Sequence, residues 1–457
     1  MQPKTVIDDS APLLSTLRDR LQIRDVILRA AMAIPTRDAA SLLTFFAEDA
    51  RVLGYPEGLE LSPGEYVSSV TGAEWDGRQQ VITNLEIDLD GDVAIASSMF
   101  IDTIAPDPAH RPVPTTTMTA GRFVDRVARI DDEWRITQRQ IEVDWAVAGD
   151  AEILGQFRAA GGTTADVLER EQAIAEQRTA LDEQSLIDRQ NIADQIARLA
   201  RGVDRLDLDV FTTHFDDSMT MAFGSIEVPG STFVGMSSGD APNRYATQHA
   251  VSNVVIAVDG DEALSSTHLF GVISYRPGFG PAFIKERNSA TGGLLFSGCR
   301  YLDRWQRVTG GWRLVRRDLV QEWTGRFDNT AMADFAASPA SVGTRDLGDP
   351  SYGALLPVTQ AGDLSAVADR ESIAEAIIKA EAGAAARHVL TQTITVAGSR
   401  AIVEAYRLFA RVGNDGNVRL EGGRELLTVV NSDGSWRVTD ITLIPEWRTV
   451  APDARRD

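Results

Sequence analysis

Apolar and polar positions alternate along a pair of stretches that the chain writes three times. The copies run from Gly121 to Trp145 (GRFVDRVARIDDEWRITQRQIEVDW), Cys299 to Trp323 (CRYLDRWQRVTGGWRLVRRDLVQEW) and Gly423 to Trp447 (GRELLTVVNSDGSWRVTDITLIPEW). In each, a small residue and an arginine open a strand, a polar turn follows, and Trp-Arg opens a second strand. A second tryptophan closes it, eleven residues after the first in every copy. Period-two alternation of this kind predicts a β-hairpin. A lone hairpin with Phe123, Val124 and Val127 before its turn and Trp134, Ile136 and Ile141 after it cannot bury its apolar face. Each copy therefore ends a larger unit, and the chain reads as three units in series. Plain alternation also predicts that Arg313, Val315 and Arg317 share one strand face, with Trp312 and Leu314 on the other.

The pattern upstream of the first hairpin predicts a helix with Leu17, Leu21, Val26 and Ala30 on one stripe. A second helix starts at an Asp38 cap and turns Leu42, Phe45 and Phe46 inward. A strand over 50–55 and a helix after Ser62 and Pro63 come next. A long hairpin then turns at Asp90-Gly91-Asp92. The second unit repeats this order: residues 186–215 lie over 17–46 at a constant offset of 169, and Asp259-Gly260-Asp261 marks its hairpin turn. Between Tyr275 and Gly298 it carries a longer Gly- and Pro-containing loop, of the kind that covers pocket mouths. In the third unit, PVTQAGDLSAVADRESIAEAIIKAEAG matches the strand-and-helix part, and ARHVLTQTITVAGSRAIVEAYRLFARV matches the central hairpin. No two-helix opening is recognisable ahead of them. The expected boundaries are 1–148 for the first unit, 149–184 for a charged helical connector, 185–327 for the second unit and 328–457 for the truncated third.

Composition narrows the function classes. The 457 residues suit about three domains. A net charge of −21 disfavours nucleic acid and anionic membranes. No run approaches a transmembrane length, and the N-terminus has no basic flank before an apolar core, so a cytoplasmic setting is expected. The single cysteine, Cys299, allows no intrachain disulfide and no cysteine cluster for zinc. The Asp-Gly-Asp turns lack the ligand spacing of a calcium loop. No metal and no cofactor are expected.

Helix, helix, strand, helix and then a long antiparallel sheet ending in GRY-x-DR…GGWR…R…W resembles the SnoaL-like branch of the nuclear-transport-factor-like superfamily. That branch includes polyketide cyclases, scytalone dehydratase, hexachlorocyclohexane dehydrochlorinase and the more distant ketosteroid isomerases. The resemblance implies an α+β fold of three tandem cone-shaped units, each a curved antiparallel sheet wrapped around helices, the third incomplete. It also implies an apolar cavity in each cone. Dehydratase-type relatives place an Asp at the end of the first helix and a His four residues before an Asn that begins the central strand. In the second unit those positions fall on Asp204 and His249, the latter four before Asn253. In the first unit they fall on Pro35 and Gln80. In the third, His388 sits four before Gln392, with no first helix to supply an aspartate.

The resemblance thus implies one catalytic pair, His249 as base and Asp204 as its orienting partner. Tyr245, His268, Tyr301 and Arg317 are candidate substrate-binding donors; Arg317 reads equally as an ion-pair residue. His214 and His110 receive no role. The implied activity is a cofactor-independent lyase of the dehydratase or dehydrohalogenase type, acting on a hydrophobic cyclic or aromatic small molecule. Two readings stand beside it: an isomerase or cyclase on a polyketide- or steroid-like substrate, and a non-catalytic binding or scaffold protein. Because dehydratase-type relatives are trimers, the three units are expected to form an intrachain pseudo-trimer, with the whole chain a monomer or low-order homo-oligomer.

Overall fold

The computed structural model of the chain describes residues 10–54, 59–72, 75–106, 115–150, 174, 181–223, 226–239, 241–276, 278, 293–327, 360–380 and 387–454. The connector expected at 149–184 and the loop after Tyr275 fall mostly outside these residues, as do His110 and the segment between the second and third units.

The first unit runs α1 (Ser10–Met32), α2 (Ala39–Thr44), β1 (Phe46–Gly54), β2 (Leu59–Leu61), α3 (Pro63–Thr71), then β3 (Trp75–Asp90), β4 (Val93–Pro106), β5 (Thr115–Ile130) and β6 (Glu133–Asp150). Local chemistry sets the helix starts. Asp38 accepts the Ser41 N–H ahead of α2. Ser62 and Glu65 form a reciprocal capping box ahead of α3, with Pro63 in the first turn where no N–H is needed. The second unit repeats the plan with α4 (Glu183–Arg205), α5 (Leu208–His214), β7 (Phe215–Phe223), β8 (Ile226–Pro229), α6 (Gly230–Gly239), β9 (Arg244–Asp259), β10 (Glu262–Tyr275), β11 (Gly293–Val308) and β12 (Gly311–Phe327). The third has α7 (Leu364–Lys379) and β13 (Arg387–Ala397), β14 (Arg400–Val412), β15 (Asn417–Ser432) and β16 (Ser435–Pro452). Gly91 and Gly260 turn the two long hairpins at φ of 58° and 59°.

Each unit is an antiparallel four-stranded meander. In the first two, the short strand after the second helix joins the last strand in parallel: β1 on β6 and β7 on β12. The first and second sheets meet at one pair, Asp150 with Arg326, and the third sheet stands alone. The fold is therefore α+β, three cone units with the third incomplete.

Two sequence expectations are corrected here. Plain alternation fails in the closing strand, because Arg304 pairs with Arg316 while Trp305 pairs with Leu314, leaving Val315 as an extra residue. The bulge reverses the facing, so Arg317 joins Trp312 and Leu314 on the buried side. Thr137 and Thr439 are the corresponding bulges in β6 and β16. The second correction concerns α7. It packs Leu364 and Val367 against Leu17 of α1 and Leu186 of α4, so it stands where the other units have their first helix, not their third.

The three units contact one another in a ring, each handing the same kind of contact to the next. Among the helices, Arg189 of α4 reaches Asp25 of α1 (3.1 Å), Arg24 of α1 reaches Glu371 of α7 (2.6 Å), and Arg370 of α7 reaches Asp194 of α4 (3.0 Å). Among the sheets, Asn253 of β9 bonds Ile82 N and Gln80 O of β3 (2.8 and 2.9 Å). Asn84 of β3 bonds Val389 N and Arg387 O of β13 (2.6 and 3.0 Å). Thr391 of β13 bonds Val251 N and O of β9 (2.6 and 3.2 Å). Each of these side chains sits at a bulge in its strand, and both asparagines adopt the left-handed region, φ 51° and 48°, that asparagine tolerates best after glycine. The closing tryptophans Trp145, Trp323 and Trp447 meet Phe270, Phe296, Tyr406 and Leu408 in one central apolar cluster, separate from the cluster inside each cone.

Candidate active site

Asp204 lies in the last turn of α4, which ends because Leu206 takes the left-handed conformation at φ 54° and returns its N–H to the Gly202 carbonyl. Gly202 itself makes room for α5: a Cβ there would meet Val210 Cγ1 at 3.1 Å. The turn holds the Asp204 side chain beneath β9, fully buried. Its Oδ1 is 2.6 Å from His249 Nδ1, and its Oδ2 accepts the His249 backbone N–H at 2.8 Å. One carboxylate thus grips the histidine by ring and by backbone, fixing both the rotamer and the strand beneath it.

The protonation pattern follows from this geometry. Burial alone would push the Asp204 carboxyl up, but the facing imidazole, the Arg205 guanidinium and the Tyr406 hydroxyl outweigh it and hold the carboxyl below its ordinary value. An ionised carboxylate only accepts, so Nδ1 carries the hydrogen, which in the neutral imidazole puts the lone pair on Nε2. The His249 side chain is 19% exposed, and Nε2 has no hydrogen-bond partner among the described residues. Across the sheet His249 faces Gly271, which leaves the neighbouring position without a side chain. Val203, Val251, Leu269, Cys299 and Tyr301 pack in the same apolar cluster of the cone.

Tyr406, on β14 of the third unit, donates its hydroxyl to Asp204 Oδ2 at 2.5 Å. Around it lies a buried charge network between the second and third units. Arg201 bonds Glu404, and Arg205 bonds Glu446 (2.5 Å). Arg424 bonds both acids, Glu446 at 2.8 Å and Glu404 at 2.5 Å. Sequence reasoning confined to one unit at a time missed these residues. Their signal was the presence of Glu404 and Tyr406 among the apolar residues Ala401, Ile402, Val403 and Ala405 of β14.

The other candidates fall in different places. Tyr301 and Arg317 lie inside the second cone. Arg317 is committed to a two-pronged ion pair with Asp303 (2.8 and 2.7 Å) and stacks over the Tyr301 ring at 4.0 Å. Arg139 and Asp125 make the same pair in the first cone, both bonds 2.8 Å. Burial raises the Tyr301 phenol above its ordinary value, so it is a neutral donor, and burial pushes the Cys299 thiol up to about 12. His268 is not brought to the dyad. It faces away from the cone, 3.1 Å from Gln80 O and 3.2 Å from Asn253 Nδ2, where burial lowers its pKa to about 4. Tyr245 packs against the central cluster beneath Arg276, 4.6 Å from its ring. His214 bonds the Val210 carbonyl at 2.8 Å within α5.

The ring of contacts also corrects the alignment of the third unit. Ile82, Val251 and Val389 each lie two residues before their bulge side chain, so Thr391 answers to Asn84 and Asn253. Four residues earlier stand Gln80, His249 and Arg387. His388 is therefore one position out of step. It points to the ring instead, 3.1 Å from Thr83 Oγ1 and edge-on to Trp145. Ten residues beyond Asp25, Asp194 and Glu371 come Pro35, Asp204 and Glu381, the last outside the described residues.

Among the described residues no three His, Cys, Asp or Glu side chains gather as a metal-ligand set, and no helix is long and apolar enough to cross a membrane.

The SnoaL-like domain family matches residues 15–140 and 184–318 of the chain. Among solved structures, the chain is similar to a candidate scytalone dehydratase from Novosphingobium aromaticivorans, with 18% identity over 30% of this chain and 91% of the other at a TM-score of 0.27. It is similar to a type 2 hexachlorocyclohexane dehydrochlorinase, with 13% identity over 30% and 91% at 0.27. It also resembles a nuclear-transport-factor-like protein with a cystatin-like fold from N. aromaticivorans, with 18% identity over 31% and 92% at 0.26. No curated protein matches the chain.

Proposed function

The chain belongs to the SnoaL-like domain family, a family of small-molecule-processing enzymes, and from that premise we propose that its second unit is a cofactor-independent lyase site of the dehydratase or dehydrohalogenase type. The observation that carries the reading is the 2.6 Å contact between His249 Nδ1 and the fully buried Asp204. A lone histidine near a strand is usually structural. One whose Nδ1–H is fixed by an ionised carboxylate, with Nε2 free in an apolar cone, has the orientation of a general base.

In the proposed reaction, Nε2 takes a proton from a substrate carbon, and the electrons of that C–H bond form the new double bond. A hydroxyl or halide on the adjacent carbon leaves with its bonding pair. Asp204 stabilises the imidazolium as it forms, and the proton then passes to the departing group or to solvent. Tyr301 supplies a neutral hydrogen-bond donor on the same side of the sheet. Arg317 serves indirectly, holding the Tyr301 ring and balancing Asp303. The apolar cluster around the dyad favours a hydrophobic cyclic or aromatic substrate. Gln80 and Arg387 at the corresponding positions leave the first and third units without this base.

The test is turnover of a panel of hydrophobic β-hydroxy and β-halo cyclic compounds, followed by mass spectrometry. Loss of water or halide that disappears in His249→Gln supports the lyase; a product of unchanged mass moves the assignment to isomerisation or cyclisation. Turnover that survives His249→Gln overturns the reading, and binding without turnover of any compound replaces it with a ligand-holding role.

A further inference from the structure

The third unit has no base of its own at the matching position, yet it places a hydroxyl on the carboxylate that orients His249. Tyr406 Oη and the His249 backbone nitrogen converge on one buried oxygen, Asp204 Oδ2, while Oδ1 meets the imidazole. We propose that Tyr406 is a positioning residue for the His249–Asp204 dyad, supplied by the third unit, so that the site of the second unit is complete only when the third is docked against it. The proposal rests on the dyad reading above for its functional meaning.

Three features support it. Tyr406 is buried among apolar groups of the central cluster, where a phenol without a partner would be costly, and its hydroxyl is directed to Asp204 across the unit boundary. The flanking network then clamps β14 to α4. Arg201 and Arg205 from the helix meet Glu404 and Glu446 from the sheet, with Arg424 between the two acids. Finally, the residues that pair with the strand-opening arginines are Met99 in the first unit, His268 in the second and Tyr406 in the third. From this register position His268 reaches Gln80 of the first unit and Tyr406 reaches Asp204 of the second.

The charged and titratable groups around Asp204 are His249 on β9, Arg201 and Arg205 on α4, Tyr301 on β11, Tyr406 and Glu404 on β14, Arg424 on β15 and Glu446 on β16. Tyr406 and His249 both bond the carboxylate from outside its own helix. A donor to Oδ2 drains charge from the carboxylate and weakens its pull on the imidazolium. Removing that donor therefore raises the proton affinity of His249.

The experiment is an NMR titration of the imidazole Cε1 protons in the full-length protein, with the His249 signal assigned by its loss in His249→Gln. Tyr406→Phe keeps the ring and removes the hydroxyl; it is expected to raise the His249 pKa by about 0.5 unit or more. Site-specific replacement of Tyr406 by 3-fluorotyrosine, a stronger donor of nearly the same shape, is expected to lower it. Opposite shifts establish the positioning role whether or not any substrate is turned over. An unchanged His249 titration with 3-fluorotyrosine overturns the proposal, even if Tyr406→Phe alone fails to fold. Shifts in the expected directions in a protein that processes no substrate would leave the proposal standing and remove the lyase reading alone.

Discussion

The Trp447 indole of the third unit donates its N–H to Gln248 Oε1 of the second at 2.7 Å, one residue before His249. Trp323 makes the matching bond to Gln79 at 3.2 Å, one residue before Gln80. Two closing tryptophans thus tie their sheet to a neighbour's central strand by an indole hydrogen bond, whereas Trp145 meets the third unit through its ring, edge-on to His388. Trp447→Phe keeps the apolar ring and strands the Gln248 amide oxygen. It is expected to lower stability by about 1–3 kcal/mol in urea unfolding and to broaden the His249 resonance. The matching change Trp323→Phe should cost stability while leaving His249 sharp.

Asn253→Ala removes the amide that satisfies Ile82 N and Gln80 O, both buried between the sheets. It also puts alanine at φ 48°. The two effects together are expected to cost about 2–4 kcal/mol. Asn253→Gly, which accepts the backbone conformation but lacks the amide, should recover only a minor part. Equal stability of the two variants would mean that the hydrogen bonds, and not the conformation, decide the cost.

Burial lowers the pKa of His268 to about 4 and that of His388 to about 3. The unfolded chain protonates both near pH 6.5 while the native protein does not. Below pH 6.5 the unfolded state therefore binds more protons, and stability falls with slope of up to about 1.4 kcal/mol per pH unit for each histidine. The loss from His268 levels off near pH 4 and that from His388 near pH 3. Asp204, whose carboxyl is held low, adds a loss confined to pH values below its unfolded range. Urea midpoints measured at pH 7, 5.5 and 4.5 should fall steadily, and His388→Asn should flatten that fall. A slope indifferent to this substitution would count against His388 being buried and neutral.

Gly298 and Gly422 lie under the closing tryptophans of their own units. A Cβ at Gly298 would sit 1.9 Å from Trp323 Nε1 and 2.3 Å from Gln79 Oε1; at Gly422 it would sit 1.9 Å from Trp447 Cε2. Either Gly→Ala change must displace an indole and is expected to lose about 1–3 kcal/mol or more. Thermal unfolding of Gly298→Ala against Gly64→Ala, an open site in α3 with nothing within 4 Å of the added carbon, separates crowding from the loss of glycine itself.

Much of this was legible in the chain. The eleven-residue tryptophan spacing gave the repeat, the Asp-Gly-Asp turns gave the hairpins, and the offset of 169 aligned Asp38 and Leu42 with their second-unit counterparts. The positions of Asp204 and His249 came from the resemblance, and the structure brings those side chains into contact. What could not be read had physical causes. A single bulge residue at Val315 inverts the side chains that follow it up to the next bulge at Glu322, so alternation put Arg317 on the wrong side. The helix Leu364–Lys379 has a short apolar stripe common to any of the three helices in a unit, and only its packing against Leu17 and Leu186 shows which it replaces. His388 was misaligned because the bulge side chain of the third unit is a threonine one residue earlier, not the glutamine that looks like asparagine. Tyr406 has meaning only beside a helix some two hundred positions away.

The handing of like contacts around the ring has a genetic corollary. In an assembly of identical subunits, one altered codon changes every seat around the axis together. Here Asn84, Asn253 and Thr391 are written separately, as are Gln80, His249 and Arg387. One seat can hold an imidazole while another holds a guanidinium, and a substitution fatal in triplicate is met only once.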